Sequence, residues 1–368
     1  MSDSSSMMLI GIGGGGSAIA RGVRRAFGEG LRFLAIDTDA ASASDCEDFL
    51  LLGGNRLSGR GSGGDVVAAR LATEDSINSL DPKIEGVRLA IIVTSLGGGT
   101  GGGATLETVK RLDSLGIPSI VFATTPFTFE GEDRQRSARG VMTMIEEAAG
   151  ATFFVPLDKI VGNAERLDDA MRRAVDTMAS AVTLFWRLVE KPGYLRLDAE
   201  RIRHLVAKAG RGRFAAVSSM GPDRARDISD MIARAPLLTM GSGPVRSILC
   251  GVLAGEDLRL SEISTISEGV RSAFGNQATT FELATVNDEE TFSGRISVVL
   301  LFFEANAKDT TEDIPSGVMG NKRKKRAAKP LGVGPQGRGR FNNAEPTIWN
   351  SEDLDIPTYL RRGISLDV

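Results

Sequence analysis

The sequence predicts an α/β fold in two parts: a mostly parallel sheet covered by helices on both faces and, across one long helix, a smaller mixed α/β domain with a polar tail. Three observations carry that expectation. Short apolar runs alternate with amphipathic stretches through the first half, the pattern of strands buried between helices. Nearly pure glycine loops follow the first and third of those runs. A single unbroken helical pattern separates the two halves. The 368 residues suffice for two packed cores, and 42% hydrophobic and 25% charged residues are ordinary for globular chains, whereas 44 glycines are many.

The strands of the first part are expected at Met8 to Ile12, Leu31 to Ile36, Arg88 to Thr94, Ser119 to Ala123 and Thr152 to Val155. From Arg166 to Glu190, Leu167, Met171, Val175, Met178, Val182 and Phe185 recur at helical spacing, and Lys191-Pro192-Gly193 ends the run. That gives a helix of about 37 Å. The second part offers strands at Phe214 to Ser218, Val245 to Leu253, Thr279 to Thr285 and Ile296 to Phe303, with helices between the first three. The divisions are therefore 1–165, a central helix 166–192, 193–304, a linker 305–345 and a terminal peptide 346–368. The linker has nine Lys/Arg against four Asp/Glu, including Lys322 to Arg326, and no apolar period, so it reads as a disordered basic tether.

Composition removes several chemistries. Two cysteines, Cys46 and Cys250, and the single His204 leave no basis for a disulfide framework or a cysteine or histidine metal cluster. The opening residues have no basic region before their short apolar run, and no segment approaches the ~20 apolar residues of a membrane span, so a cytoplasmic protein is expected.

The glycine loops point to an anion. Gly11, Gly13 and Gly16 satisfy G-x-G-x-x-G after a strand, with Asp37 at the end of the next, as a dinucleotide site requires. Read alone, that pattern supports an NAD-dependent oxidoreductase, but it leaves the second loop, Gly97 to Gly103, unexplained. Two such loops on neighbouring strand ends surround one anion with backbone N–H groups, which suits a di- or triphosphate. The helix after the second loop is expected to start near Ala104. A third cluster, Gly59, Gly61, Gly63 and Gly64, precedes a helix starting near Asp65 and is placed to cover the terminal phosphate. No Gly-Lys-Ser/Thr run exists, which excludes the P-loop class.

These residues resemble the tubulin/FtsZ family, whose signature G-G-G-T-G-[ST]-G stands here as Gly97 to Gly103 with Gly102 in the Ser/Thr place. Gly11 to Gly16, Asp37 to Ala40, Pro126 to Gly131, Pro156 to Lys159 and Lys191 to Gly193 resemble FtsZ segments in order and spacing, and Leu354 to Arg362 resembles the FtsZ terminal peptide. The resemblance implies a Rossmann-like GTPase domain and a self-assembling cytoskeletal protein of the bacterial division ring, on the inner face of the membrane at mid-cell. It implies that Gly14, Gly15, Gly16, Ser17, Ala18, Gly99, Thr100 and Gly101 hold GTP or GDP, with Mg²⁺ accompanying the nucleotide, and that Glu130 and Arg134 touch the ribose and phosphate region. The family reads guanine with a stacked aromatic and two Asn; here those places hold Met171, Ala18 and Val175, leaving Asp176 as the polar reader, and Leu157 replaces a polar residue near the sugar.

The resemblance also implies that hydrolysis is completed by acids from a neighbouring subunit, on a loop reading N-x-D-x-x-D. Here it reads Arg196-Leu197-Asp198-Ala199-Glu200-Arg201, which keeps Asp198, offers Glu200 one position early, and brings two arginines able to supply positive charge in trans. A weakly hydrolysing or non-hydrolysing scaffold is the alternative. Leu354, Ile356, Pro357, Tyr359, Leu360 and Arg361 suit a short helix that folds on a membrane-tethering division protein.

Overall fold

The computed structural model describes residues 6–28, 30–45, 48–161, 166–191, 193–197, 199–206, 209–239, 245–274, 280–304, 348–349 and 352–353. The chain divides into two compact units, Met1–Glu312 and Asp313–Val368. In the first, the elements run β1 (Met7–Ile12), α1 (Gly13–Phe27), β2 (Phe33–Asp37), β3 (Phe49–Leu51), α2 (Gly54–Leu57), α3 (Val66–Glu74), β4 (Leu89–Ser95), α4 (Gly99–Ser114), β5 (Ser119–Thr125), α5 (Glu132–Ala148), β6 (Ala151–Pro156), α6 (Leu157–Ile160) and α7 (Leu167–Glu190). There follow α8 (Ala199–Val206), β7 (Gly210–Met220), α9 (Arg224–Ala233), α10 (Pro236–Thr239), β8 (Val245–Ala254), α11 (Leu260–Phe274), β9 (Thr280–Asn287), α12 (Glu289–Phe292) and β10 (Arg295–Glu304). In the second unit β11 (Ile348–Trp349) pairs antiparallel with β12 (Glu352–Asp353). The linker and the peptide from Leu354 onward lie outside the described residues.

One sheet of ten strands, in the order β3-β2-β1-β4-β5-β6-β7-β10-β8-β9, passes through both halves of the first unit. Its first six strands are parallel, so their chain order reverses direction between β1 and β4. That switch point opens a crevice at the carboxyl ends of the strands, where ligands of such sheets collect. The second half is mixed: β10 runs antiparallel to β7 and β8, and β8 runs parallel to β9.

Apolar residues alternate between the two faces as the strand period requires. Leu9, Ile91 and Phe122 join Ile19 and Val23 of α1 on one face, while Ile10, Ile92 and Val121 join Leu106, Val109 and Ile145 of α4 and α5 on the other. Helix α7 packs on both halves: Met178, Val182, Phe185 and Trp186 share a core with Val155, Leu253, Ala284 and Val299. It runs beside α1 in the same direction. The Cβ of Ala179 would lie 3.1 Å from a Cβ at Gly22, and further along, Phe27 meets Trp186 edge-on at 6.1 Å. Arg187 is buried there, with Asp288 at 3.4 Å, the Ala26 carbonyl at 3.3 Å and the ring of Phe27 beneath its guanidinium.

The structure departs from the sequence expectations in three places. The second glycine loop does not wholly precede its helix: α4 starts at Gly99 rather than near Ala104, and Gly13 to Gly16 likewise form the first turn of α1. Strand β3 was not anticipated, because three residues at a sheet edge carry too little period to register. Helix α8 takes in Glu200 and Arg201.

Candidate functional site

Two helix N-termini meet at the switch point. Helices α1 and α4 begin with no side-chain cap and no acidic residue in the first turn, so their leading N–H groups have no partner in their own side chains. The glycines make the approach possible. A Cβ at Gly101 would lie 2.0 Å from the Ser95 carbonyl oxygen, and one at Gly13, whose φ is +71°, would lie 3.3 Å from the Gly101 nitrogen. Gly14 and Gly15 are exposed, and nothing stands within 4 Å of where a Gly14 Cβ would be. The two loops thus touch at Gly13 and Gly101 and leave bare N–H groups beside that contact, an arrangement that favours a phosphate chain.

Hydroxyl groups lock the loops together. The Thr94 Oγ1 lies 3.2 Å from the Ile12 carbonyl and 3.1 Å from that of Gly101, and accepts a hydrogen bond from Thr105. Thr38 at the end of β2 shares a 2.7 Å hydrogen bond with Thr100. Thr124 donates to Ser95 at 2.9 Å. Ser17 is buried, and its Oγ has no partner among the described residues. The third glycine loop lies against this assembly: Gly61 N–H donates to the Thr38 carbonyl at 3.1 Å, and the Ser62 Oγ occupies the space a Gly99 Cβ would need. Asp65 then caps α3 through Val67 and Ala68.

Asp37, the acid on which a dinucleotide reading depends, is 4% exposed and already engaged. Its carboxylate accepts from Thr38 N, Asp39 N and the Ser42 hydroxyl at 2.7, 3.3 and 2.8 Å. It shapes the turn after β2 and is nearly closed to solvent.

On the other side of the glycine loops, the turn Thr128–Glu130 is pinned from both ends. Glu130 accepts the Phe127 N–H at 2.8 Å and pairs with Arg134, while Asp158 accepts from the Thr128 N–H at 3.0 Å and its hydroxyl at 2.6 Å. Phe127 packs with Leu157 and Ala174 of α7. Met171 is 47% exposed and Ala18 half-buried. The side of α7 that faces α1 is held by Val175 and Ala179. Asp176, one position on, is turned about 100° from Val175. It lines a shallow depression with Asp169, Arg172 and Arg173, apart from the glycine loops.

Residues 6–165, which hold all three glycine loops and Glu130 and Arg134, match the model of the tubulin/FtsZ family GTPase domain. That stretch of the chain is a GTPase domain of the tubulin/FtsZ family. The chain as a whole resembles named relatives only distantly. It is 26% identical over 380 residues to the cell division protein FtsZ of Buchnera aphidicola subsp. Acyrthosiphon pisum, covering 98% of each chain, and 26% identical to that of Pseudomonas putida, covering 96% of this chain and 88% of the other. Among solved structures, an empty FtsZ dimer of M. jannaschii superposes with a TM-score of 0.74 at 22% identity, covering 89% of this chain and 95% of that one. A GTPγS-bound protofilament of CetZ2 from Haloferax volcanii gives 0.68 at 20%, covering 81% and 92%. These structures share the fold of this chain.

The segment after α7 lies at the other end of that helix, about 36 Å from the end level with the glycine loops. It is tied to β9, because Leu195 N–H donates to the Thr285 hydroxyl at 3.0 Å and Thr285 N–H to the Leu195 carbonyl at 2.9 Å. Asp198 lies outside the described residues. Glu200, in the first turn of α8, is paired with Arg203 at 2.9 Å and approaches His204 at 3.5 Å, and Arg201 is held by Glu282. The structure therefore brings Gly14 to Gly16 and Gly99 to Gly101 together and separates Glu200 from them. Sequence reasoning missed the surface beside this segment. Tyr194 is 87% exposed and Leu260 79%, and with Leu195, Leu258 and Ile263 they line a groove of about 650 Å³. Their spacing gave no signal, because the exposed side chains come from two separate elements. Among the described residues no helix is long and apolar enough to cross a membrane.

Proposed function

We propose that this chain is a GTP-binding, filament-forming division protein that holds the nucleotide on Gly14 to Gly16 and Gly99 to Gly101, with hydrolysis completed by the Asp198 segment of a second copy. The observation that carries this reading is the convergence of two uncapped, glycine-built helix N-termini at the switch point. Uncapped N–H groups and two helix dipoles favour a multiply charged anion. Thr100 stands in the first turn of α4 and Ser17 directly after that of α1 to serve the phosphates, and Glu130 and Arg134 border the same strand ends. Mg²⁺ would enter with the triphosphate, bound chiefly by phosphate oxygens and water. Among the described residues no group of three His, Cys, Asp or Glu side chains is arranged to hold a metal alone.

The distance along α7 supports completion between copies. One subunit cannot bring its own residues 196–201 to its own phosphates across roughly 36 Å of helix, whereas a head-to-tail neighbour can. The exposed groove of Tyr194 and Leu260 lies beside that segment and would be covered by such a neighbour. The relatives agree in kind: the curated ones are named as cell division proteins, and the CetZ2 structure is a GTPγS-bound protofilament. Division-site localisation, and tethering through Leu354, Ile356, Pro357, Tyr359, Leu360 and Arg361, belong to the same proposal.

The pairing of Glu200 with Arg203, and of Arg201 with Glu282, favours a second reading in which the filament forms but turnover is slow. Phosphate release recorded beside light scattering in GTP and magnesium distinguishes the two. Assembly with release supports the GTPase, assembly without release supports the scaffold, and absence of both overturns the polymer reading.

A further inference from the structure

The loops at the carboxyl ends of β1 to β4 carry two cations, Arg56 and Arg60. Arg56 is committed, its Nε donating to Asp75 at 2.7 Å. Arg60 is exposed, and its side chain has no ion pair or hydrogen bond among the described residues. Its backbone is fixed beside the glycine loops. Arg60 N–H donates to the Leu57 carbonyl at 3.1 Å, and the residue forms an isolated antiparallel bridge with Asp39 at the end of β2. The residues on either side are held too: Gly61 N–H donates to the Thr38 carbonyl, and Ala40 N–H to that of Gly59 at 2.9 Å. Thr38 in turn bonds Thr100 in the first turn of α4, and Ser62, two residues on, touches Gly99. Asp39, the acid closest along this backbone, turns its Oδ1 onto the Ala41 N–H at 2.9 Å.

The two helix N-termini attract any phosphate chain and do not count its members, because backbone dipoles act alike on each phosphate they reach. Counting needs a charge fixed at one end of the chain. Among the described residues of those four loops, only Arg60 offers a free one. We propose that the Arg60 guanidinium distinguishes a nucleoside triphosphate from a diphosphate at this site by donating hydrogen bonds to the terminal phosphate, an inference that rests on the nucleotide reading above. A guanidinium suits that task, since its planar fork meets phosphate oxygens in pairs and stays charged at any working pH.

The test measures binding of GDP and of a βγ-imido GTP analogue with magnesium to the full chain, at concentrations where light scattering shows no assembly, for wild type, Arg60→Ala and Arg60→Lys. Arg60→Ala should lower the preference for the triphosphate by about tenfold or more. It should leave GDP affinity within about twofold, as expected for an exposed side chain away from the diphosphate. Arg60→Lys should fall between. A triphosphate preference unchanged in Arg60→Ala, or an equal loss for both nucleotides, overturns the assignment. Failure of the wild type to bind either nucleotide overturns the nucleotide reading and this inference with it.

Discussion

In the proposed function, one end of α7 would work through backbone groups and the other through side chains. Around Gly14 and Gly101 the groups that matter are N–H bonds whose direction is set by two helices, two strands and a lattice of threonine hydroxyls. Around Glu200 and Arg201 they are long exposed side chains that have found partners of their own in Arg203 and Glu282. A backbone site cannot be altered by exchanging side chains except where a Cβ would intrude, so divergence leaves it readable. A side-chain site changes with each substitution, and its residues take up whatever partner is near. The two ends of one helix therefore differ in how a substitution would reach them, while sharing one fold.

The largest expected effect breaks the side-chain end alone. Asp198→Ala should reduce phosphate release in GTP by about three orders of magnitude, the usual weight of a positioned acid–base group, with light-scattering assembly retained. If release persists unchanged, the segment after α7 does not supply the catalytic acid. At the backbone end, Gly101→Ala would force a Cβ to within 2.0 Å of the Ser95 carbonyl. Anisotropy of a fluorescent guanine nucleotide should then report roughly a hundredfold weaker binding, about 3 kcal/mol of misplacement. Unaltered affinity would remove the Gly13 to Gly101 contact from the site.

A third test asks whether the second half is stabilised as locally as it is built. Buried Arg224 of α9 holds Glu262 of α11 through two hydrogen bonds of 2.7 and 3.0 Å and reaches Asp257 at 2.7 Å. Hydrogen bonding from Arg224, outweighing the effect of burial, holds the Glu262 carboxyl below its ordinary range. A depressed carboxylate contributes stability that is complete above the unfolded-state value and is lost as pH falls through the folded one. Glu262→Gln should cost about 2 kcal/mol near neutral pH, and urea midpoints of variant and wild type should converge on acidification below the ordinary carboxylate range. A gap that stays constant with pH would assign the loss to packing. The smallest effect is a control: Gly140, exposed within α5 with nothing within 4 Å of a Cβ, should gain roughly 0.5–1 kcal/mol as Gly140→Ala. Nucleotide affinity should stay as in the wild type.

Much of this was legible in the sequence because strand period and helix period are strong signals in buried segments. Residues 89–95 and 245–254 are almost wholly apolar, and α7 keeps its stripe from Met178 to Val189. The start of α4 was misjudged for a physical reason. Glycine is a poor helix former, yet Gly99, Gly101 and Gly103 sit within α4 at places where a Cβ would come within 2.0, 2.0 and 2.4 Å of the Ser62 Oγ, the Ser95 carbonyl and the Val66 carbonyl. The continuity of the sheet through β6 and β7 rests on three residue pairs, Ala151 to Gly210 through Phe153 to Gly212, which no local pattern announces. Asp37 could be read as a ribose ligand from its spacing. Only its three hydrogen bonds reveal a turn-former. Arg60 lies inside a glycine cluster where no spacing marks it, and the bond of its neighbour Gly61 to Thr38 sets its place.

Helix α7 is also a ruler. Its 24 residues run without a break from the level of the phosphates to the segment that would serve the next copy, and its buried Trp186 and Arg187 leave little room for bending. In the proposed head-to-tail stack, with α7 along its axis, each added subunit would advance the filament by about 36 Å. On that proposal nucleotides would be threaded along the filament at that spacing, one per step, so that their count would measure its length.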